Sequence, residues 1–463
     1  MPSVYIQTYG CQMNERDSEA VAAQLVARGY TLAPTERGAD VILLNTCSVR
    51  DQAEQKALNK MQNVAAAVRR DRPDTVLGFL GCMAQSRGRE LIDRLPDVDL
   101  VIGTQRFHRT ADYLDDIFAG RRKQVVDVQA EKGSEGTIRE HLPSGLREAG
   151  RDLNPQPRVT AFVSIMQGCN QYCTFCIVPY TRGSERSRAI SDIVAECREL
   201  VSRGVKEITL LGQIVTSYGK REIGRREGKS AFVQLLDAVN DIEGLERIRF
   251  TSPHPKGYGD DLLEAYLRLP RLCESAHLPV QSGSDRVLER MHRGYTRLRF
   301  LELVQNLRRV KPEMGITTDL IVGFPGETEA DFDETLALVR EVEFDNAYVF
   351  KYSPRKDTPA AAMPDPVTTE IIEERHARAL DAVNETARRK YQSCVGRRAQ
   401  ILVEGPSRKN PARYEGRTRT NKIVIFEGHG RHRGQLLDVQ VLRAGSFTLY
   451  GDPAIVNLDS PAL

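Results

Sequence analysis

Short apolar runs that favour β-strands alternate with helix-like stretches through most of this 463-residue chain. Parallel strands need crossover connections, which are usually helices, so this alternation predicts an α/β fold built on parallel sheets. Within residues 1–120 each strand-like run is followed by a helix-like stretch, and the runs are VYIQTYG, VILLNT, TVLGFLG and LVIG. We therefore predict an amino-terminal parallel α/β sheet domain over residues 1–120.

Residues 121–158 interrupt this pattern with few apolar positions and several Gly and Pro residues, which is typical of an interdomain linker. Over residues 159–390 the alternation returns with six candidate strands, AFVSIM, EITLLG, RIRFTS, SAHLPV, ITTDLIVGF and NAYVFKYS. Six β/α units are an incomplete relative of the eightfold barrel, whose functional residues lie on the loops after the strands. We predict a partial (β/α)6 TIM-like barrel here.

The last part of the chain, residues 391–458, contains short strand-like runs separated by Gly-rich and basic turns: AQILVEG, NKIVIFEG, QLLDVQVLRA and FTLYG. This pattern predicts a small β-barrel. Positive charge is concentrated there, because residues 388–443 hold 14 Lys and Arg against 4 acidic residues, whereas the whole chain has a net charge of only +3. Such asymmetry favours a polyanionic partner, and a solvated basic face on a stabilising domain is the alternative.

No apolar run approaches the length of a membrane span, and the first residues lack the basic and apolar segments of a signal peptide. We expect a cytoplasmic protein with no membrane partner. The nine cysteines are an odd number without a regular framework spacing, which favours reduced thiols that act as ligands or pack in cores.

Three cysteines, Cys169, Cys173 and Cys176, lie in a C-x3-C-x2-C spacing directly after the first predicted strand of the partial barrel. Zinc sites usually use C-x2-C pairs and four protein ligands, whereas iron-sulfur clusters are built on thiolates at short, irregular spacings. No fourth cysteine follows nearby, so a cluster held here would keep one iron open for reaction. A zinc site and three unrelated cysteines are the alternatives.

A second trio, Cys11, Cys47 and Cys82, is spread along the amino-terminal domain, with each cysteine at the end of a strand-like run. The carboxyl ends of parallel strands meet at one edge of a sheet, so these residues are expected to lie close together. The pattern predicts a second site with three thiolates. Small side chains that merely pack at strand ends are the alternative.

The central triplet, with Phe175 before its last cysteine, resembles the shared motif of the radical S-adenosylmethionine superfamily. This resemblance implies a 4Fe-4S cluster whose open iron binds S-adenosylmethionine, and one-electron cleavage of that cofactor to a 5′-deoxyadenosyl radical.

Together with the first trio, four segments resemble the MiaB-type methylthiotransferases: TYGCQMN, LLNTCSVRDQAEQKALN, HLPVQSGSDRVLERMHRGYT and TDLIVGFPGETEADF. The resemblance covers nearly the whole chain and implies a carboxyl-terminal TRAM domain that binds RNA. It implies methylthiolation of C2 of N6-dimethylallyladenosine beside the anticodon (adenosine-37) of tRNA. S-adenosylmethionine would be both methyl donor and radical source, and Cys11, Cys47 and Cys82 would hold an auxiliary 4Fe-4S cluster that carries the sulfur.

Further expectations follow from this resemblance. The partners would be tRNA, a reduced flavodoxin-like or ferredoxin-like electron donor and a sulfur source, and the chain would be a monomer. Alternatives are the same chemistry on threonylcarbamoyladenosine in tRNA or on a ribosomal protein, and, more distantly, a non-catalytic iron-sulfur protein that binds RNA. Five residues after barrel strands are expected, by position and by resemblance, to bind the cofactor: Gln213, Gln281, Ser282, Gly323 and Glu327. We expect His254 to be a packing residue and Cys197, Cys273 and Cys394 to be structural.

Overall fold

The structure, a computed structural model, describes residues 1–48, 51–129 and 158–453, apart from the side chain of residue 51. Most of the predicted linker and the last ten residues of the chain lie outside the described residues. The chain divides into two compact units. The amino-terminal unit comprises Met1–Gln156, Ser164–Tyr172 and Cys176–Arg188, and the carboxyl-terminal unit comprises Pro157–Val163, Cys173–Phe175 and Ala189–Leu463.

The amino-terminal unit contains a six-stranded sheet in which every neighbouring pair is parallel, as predicted. Its strands stand in the order β2-β1-β3-β4-β5-β6, and their bounds are β1 Ser3–Tyr9, β2 Thr31–Leu32, β3 Val41–Thr46, β4 Val76–Gly81, β5 Leu100–Ile102 and β6 Val125–Asp127. β3 and β4 are buried along their whole length, which explains their continuous apolar runs. The helices are α1 Gln12–Ala27, α2 Asp51–Asp71, α3 Cys82–Arg87, α4 Glu90–Arg94 and α5 Thr110–Phe118.

Three features of the amino-terminal unit differ from the prediction. β2 was not predicted. β6 lies inside the residues assigned to the linker, so the predicted start of the linker at residue 121 is too early. Runs of two or three residues are too short to show the period of a strand. The helical stretch expected after the run TVLGFLG is divided into two short helices, α3 and α4, at Gly88, which has a φ of +51°.

The amino-terminal unit also includes a short antiparallel ribbon, β8 Met166–Gln167 with β9 Arg186–Ser187, and the helix α6 Val178–Arg182. The hydroxyl of Thr104, after β5, donates a hydrogen bond to the carbonyl of Thr181 in α6. This contact is buried. It places α6 at the carboxyl ends of the parallel strands.

The carboxyl-terminal unit contains the partial barrel, and all six predicted strands are confirmed: β7 Thr160–Ser164, β10 Glu207–Leu211, β11 Arg247–Phe250, β12 Ser275–His277, β13 Gly315–Val322 and β14 Asn346–Lys351. They form two three-stranded sheets, β7-β10-β11 and β12-β13-β14. Hydrogen bonds from Ile248 N to Arg271 O (2.7 Å) and from Cys273 N to Ile248 O (3.0 Å) continue the arc between the sheets. The helices are α7 Ile190–Ser202, α8 Ala231–Asn240, α9 Asp260–Arg268, α10 Asp285–Arg290, α11 Arg297–Val310, α12 Glu329–Val342 and α13 Thr369–Gln392.

A closed five-stranded barrel follows α13, as predicted, in the order β15-β16-β17-β19-β18. Its strands are β15 Arg398–Pro406, β16 Tyr414–Thr418, β17 Ile423–Phe426, β18 Leu436–Ala444 and β19 Leu449–Asp452. β16 was not predicted, because its sequence YEGRT contains no apolar alternation. In the described ranges, no helix combines the length and apolar character needed to cross a bilayer.

The turn between β16 and β17 docks against the first residues of the partial-barrel strands. Arg249 of β11 donates to the carbonyl of Thr418 at 2.7 Å, and Arg419 binds the Glu274 carboxylate at 2.6 Å. Within the carboxyl-terminal unit, the small barrel is therefore held at the end of the partial barrel opposite the functional loops.

Candidate metal centres

Two cysteines of the first trio are in direct contact. Cys11 is the N-cap of α1 after β1, and Cys47 follows β3. The pKa of Cys11 is lowered to about 5, chiefly by a hydrogen bond from the Cys47 thiol and also by the positive charge of Arg182, which together outweigh the effect of burial. Gly10 allows this approach, because it has a φ of +141° and a Cβ there would lie 2.5 Å from the Cβ of Cys47.

The third member, Cys82, is the buried first residue of α3, directly after β4. Burial raises the pKa of its thiol, and a hydrogen bond and the charge of Arg182 oppose that rise. Arg182 also acts on Cys11, so one guanidinium interacts with thiols at the ends of two different strands. The structure thus gathers the three cysteines around the carboxyl ends of β1, β3 and β4.

Arg182 also forms an ion pair with a buried acid. Its Nη2 atom lies 2.7 Å from Oδ2 of Asp17, and the two side chains are only 5% and 3% exposed. Burial would lower the pKa of Arg182, but Asp17 and the two thiols raise it well above its ordinary value. Arg182 was not predicted from the sequence, since a single arginine six residues after Cys176 forms no pattern with the distant trio.

In the part of the chain that the structure describes, no group of three Cys, His, Asp or Glu side chains could hold a single metal ion. Each thiolate of a 4Fe-4S cluster binds a different iron, so three thiols need not converge on one metal ion to hold such a cluster. None of the nine cysteines is in a disulfide bond. Reduced thiols, one with a low pKa, beside a buried cation fit an iron-sulfur cluster with three thiolate ligands.

The central triplet is divided between the units, with Cys169 and Cys176 in the amino-terminal unit and Cys173 in the carboxyl-terminal unit. Cys169 follows β8, and its amide donates to the carbonyl of Gly183 at 3.0 Å. Cys169 is buried, and Cys176 is partly exposed.

Cys173 begins a segment that is anchored to the loops after the partial-barrel strands. The Thr174 amide donates to Met291 O at 3.2 Å, and its carbonyl accepts from Ala360 N at 2.9 Å. Phe175 packs against an apolar cluster of Val287, Met291, Phe324 and Ala360. The aromatic residue before the last cysteine therefore fixes the position of its segment.

A second buried arginine, Arg293, contacts Cys173. Its guanidinium donates to Cys173 Sγ at 3.4 Å, to Pro279 O at 2.6 Å and to the Tyr295 hydroxyl at 3.1 Å. Arg293 was not predicted either, although it lies in the HRGYT sequence that carries part of the resemblance. Nearby, the Nε2 atom of His254 is buried and has no hydrogen-bond partner in the part of the chain that the structure describes, which a purely packing role does not explain.

The residues expected to bind the cofactor have different environments. Gly323, with a φ of +75°, donates its amide to Glu327 at 2.7 Å, and that carboxylate also pairs with Arg375 at 2.9 Å. Ser282 is fully buried with its hydroxyl 3.3 Å from that of Thr335. These three residues are satisfied within the protein and shape the loops.

The two glutamines among the expected ligands differ from the other three residues, one in its backbone conformation and the other in its hydrogen bonding. Gln281 has a φ of +76°. Gln213, after β10, has a buried side-chain oxygen that accepts no hydrogen bond from the described residues. Gln213 is therefore the expected ligand with the clearest unmet capacity for a bound molecule.

Three family models match the chain in succession. Residues 3–103 match "Uncharacterized protein family UPF0004", residues 163–339 match "Radical SAM superfamily" and residues 392–454 match "TRAM domain".

Curated relatives match over nearly the full length. One named "tRNA-2-methylthio-N(6)-dimethylallyladenosine synthase" from Opitutus terrae is 51% identical and covers 98% of this chain and 97% of its own. The chain belongs to this family. A synthase of the same name from Methylacidiphilum infernorum is 48% identical and covers 99% of this chain and 96% of its own. Family members are radical S-adenosylmethionine enzymes, so 4Fe-4S clusters and S-adenosylmethionine are confirmed as the cofactors.

Solved structures support the fold. The radical S-adenosylmethionine methyltransferase TsrM from Kitasatospora setae, solved with cobalamin and a [4Fe-4S] cluster, has a TM-score of 0.56 at 13% identity and covers 78% of this chain and 74% of its own. The cobalamin-dependent radical enzyme OxsB has a TM-score of 0.54 at 12% identity, covering 83% of this chain and 56% of its own. Both likenesses concern architecture alone.

Proposed function

We propose that this chain adds a methylthio group to C2 of N6-dimethylallyladenosine at adenosine-37 of tRNA. The full-length relatives support the product, because they are named as synthases of that nucleoside in tRNA. The main observation behind the proposal is that Cys11, Cys47 and Cys82 lie close to Arg182. Sulfur insertion requires a second cluster site that carries the sulfur, in addition to the radical motif, and these three thiolates would form it.

We assign one cluster to each trio of cysteines. Cys169, Cys173 and Cys176 would hold the radical cluster, and Cys11, Cys47 and Cys82 the auxiliary cluster. When bound, the two clusters with S-adenosylmethionine supply the radical, the methyl group and the sulfur. The hydrogen on C2 of adenine is not acidic, so no side chain is needed as a general base.

The protein itself orients the reacting groups and excludes water from the clusters. Cys47, Cys82, Cys169 and Cys173 are all less than 9% exposed, which protects bound clusters from solvent. Orientation of two reacting groups in one protein replaces a bimolecular encounter by an intramolecular one. Gln213 and His254 would form hydrogen bonds with the bound cofactor or with the adenine base of the substrate, since each has a buried polar atom with no partner among the described residues.

Residues 391–458 would form the RNA-binding domain. Three exposed basic residues on the small barrel, Arg408, Lys409 and Arg431, are suited to phosphate contacts, which give affinity with little sequence choice. We further propose that a reduced flavodoxin-like or ferredoxin-like protein supplies electrons, that a separate source restores sulfur, and that the chain acts as a cytoplasmic monomer.

The cysteine assignment can be tested by comparing three full-length variants. With S-adenosylmethionine, dithionite and substrate tRNA, Cys47→Ala should still form 5′-deoxyadenosine but lose the methylthio product. Cys173→Ala should lose both products. The control Cys394→Ala removes a buried thiol outside both trios and should keep both. Wild-type methylthiolation by Cys47→Ala would overturn the assignment.

A further inference from the structure

Arg293 is a buried cation that contacts a cysteine of the radical motif and, among the described residues, no acid. It is 6% exposed, and within the described residues its guanidinium contacts the Cys173 thiol, the Pro279 carbonyl and the Tyr295 hydroxyl. A guanidinium removed from water requires a compensating negative charge.

The neighbours of Arg293 do not supply this charge. Burial raises the pKa of Tyr295 against the effect of Arg293, so its phenol is neutral at neutral pH. Burial, and then the charge of Arg293, lowers the pKa of His254 to about 3, so that imidazole is neutral too. The remaining partner is Cys173, which is anionic when it binds iron.

The other trio has a different charge balance. Arg182 interacts with Cys11 and Cys82, but it also forms a 2.7 Å ion pair with Asp17, whose negative charge opposes its effect on Cys82. These two thiols therefore lie beside an ion pair with no net charge, whereas Cys173 lies beside a positive charge that no carboxylate among the described residues opposes. Hydrogen bonds to cluster sulfurs and local charge are main determinants of iron-sulfur reduction potentials.

We propose that Arg293 is a positioning residue that raises the reduction potential of the cluster held by Cys169, Cys173 and Cys176, so that the incoming electron enters this cluster. The inference rests on the proposed function, which makes Cys173 a cluster ligand. One electron passes from the external reductant to the cluster, whose charge becomes more negative by one. Arg293 stays protonated, and no bond forms or breaks.

The test uses full-length chain carrying Cys11→Ala, Cys47→Ala and Cys82→Ala, so that only the central triplet can hold iron. Arg293→Gln removes the charge, Arg293→Lys keeps it, and Arg299→Gln removes an arginine whose side chain is 73% exposed. Iron per chain is measured first, and the midpoint potential is then obtained by a dithionite titration followed by electron paramagnetic resonance.

Arg293→Gln should lower the equilibrium constant for one-electron reduction about tenfold, which is about 59 mV for a one-electron couple. Arg293→Lys should change it less than threefold, and Arg299→Gln should not change it. Loss of iron in Arg293→Gln but not in Arg293→Lys would also support a need for the charge. Equal potentials in the Gln and Lys variants, or equal loss of iron in both, would overturn the proposal. Absence of iron from the parent variant would instead overturn the proposed function.

Discussion

At the scale of single residues, the buried pair of Asp17 and Arg182 controls the charge beside the first cysteine trio. Removing one partner of a buried ion pair leaves an uncompensated charge and commonly costs about 3 kcal/mol or more. Asp17→Asn should therefore lower the free energy of unfolding of the metal-free chain by about 3 kcal/mol in urea titrations followed by circular dichroism. Asp112→Asn, which breaks an exposed ion pair with Arg28, is the control and should cause little change. Equal effects of the two variants would contradict this account.

A second test at this scale compares alanine substitutions at Gly10 and Gly29, because only the first would crowd Cys47 while both would strain the backbone. Gly10→Ala would place a methyl group against the Cys47 side chain, whereas Gly29→Ala, with a φ of +96°, would meet nothing within 4 Å. Both substitutions strain the backbone. After anaerobic reconstitution, Gly10→Ala should bind about four fewer iron atoms per chain than Gly29→Ala, since one cluster is lost. The same iron content in both variants would show that the Cys47 position tolerates displacement.

The cysteines and the arginines differ in how far sequence could predict them. Cys11, Cys47 and Cys82 each end an apolar run, so the parallel sheet predicts that they converge. Arg182 and Arg293 reach the thiols only through tertiary packing from segments distant in the chain. No local spacing marks such residues.

At the scale of elements, the turn between β16 and β17 is fastened to the partial barrel through Asp345, just before β14. Its carboxylate lies 2.6 Å from Lys422 and 2.9 Å from Lys390. Burial would raise the pKa of Asp345, but these lysines lower it below its ordinary value of 3.8.

The lowered pKa of Asp345 predicts an acid-sensitive contribution to stability. Because the unfolded chain binds this proton more tightly, the contribution is complete above about pH 4 and is lost as the pH falls through the lower folded value. Asp345→Asn should reduce the melting temperature at pH 7, and it should show a smaller further loss between pH 4 and pH 2.5 than the wild type. Scanning calorimetry measures both. Parallel pH profiles for the two proteins would contradict the role of this carboxylate.

The elements that sequence predicted well are the long or strongly apolar ones. All six partial-barrel strands and the strands β1, β3, β4 and β5 were recognised from their apolar runs. β6 is three residues long and β16 is polar, so neither carries a periodic pattern, and both are fixed by pairing with neighbouring strands.

At the scale of the whole molecule, the net charge of residues 388–443 overstates the number of basic side chains that are available to contact RNA. Many of the basic residues in 388–443 make ion pairs within the carboxyl-terminal unit: Arg389, Lys390, Arg397, Arg417, Arg419 and Lys422. Sequence could count these charges but could not separate those that hold the domain in place from those that face solvent.

Exposed residues of the small barrel should therefore dominate the salt dependence of tRNA binding. Replacing Arg408 and Lys409 by Gln should reduce the slope of log affinity against log salt by about 1.4 to 1.8, because each phosphate contact contributes about 0.7 to 0.9. The control Arg389→Gln, which breaks an ion pair with Glu343, should leave the slope unchanged. Fluorescence titrations at several salt concentrations give both slopes. Equal slopes for the double variant and the wild type would place RNA binding elsewhere.

Methylthiolation by this chain can be tested by nucleoside mass spectrometry of tRNA from cells that lack it, either without complementation or complemented with the wild type or with Cys47→Ala. We expect 2-methylthio-N6-dimethylallyladenosine to disappear and N6-dimethylallyladenosine to accumulate in these cells, and we expect only the wild type to restore the methylthio nucleoside. Persistence of the methylthio nucleoside without the chain, or its restoration by Cys47→Ala, would contradict the account.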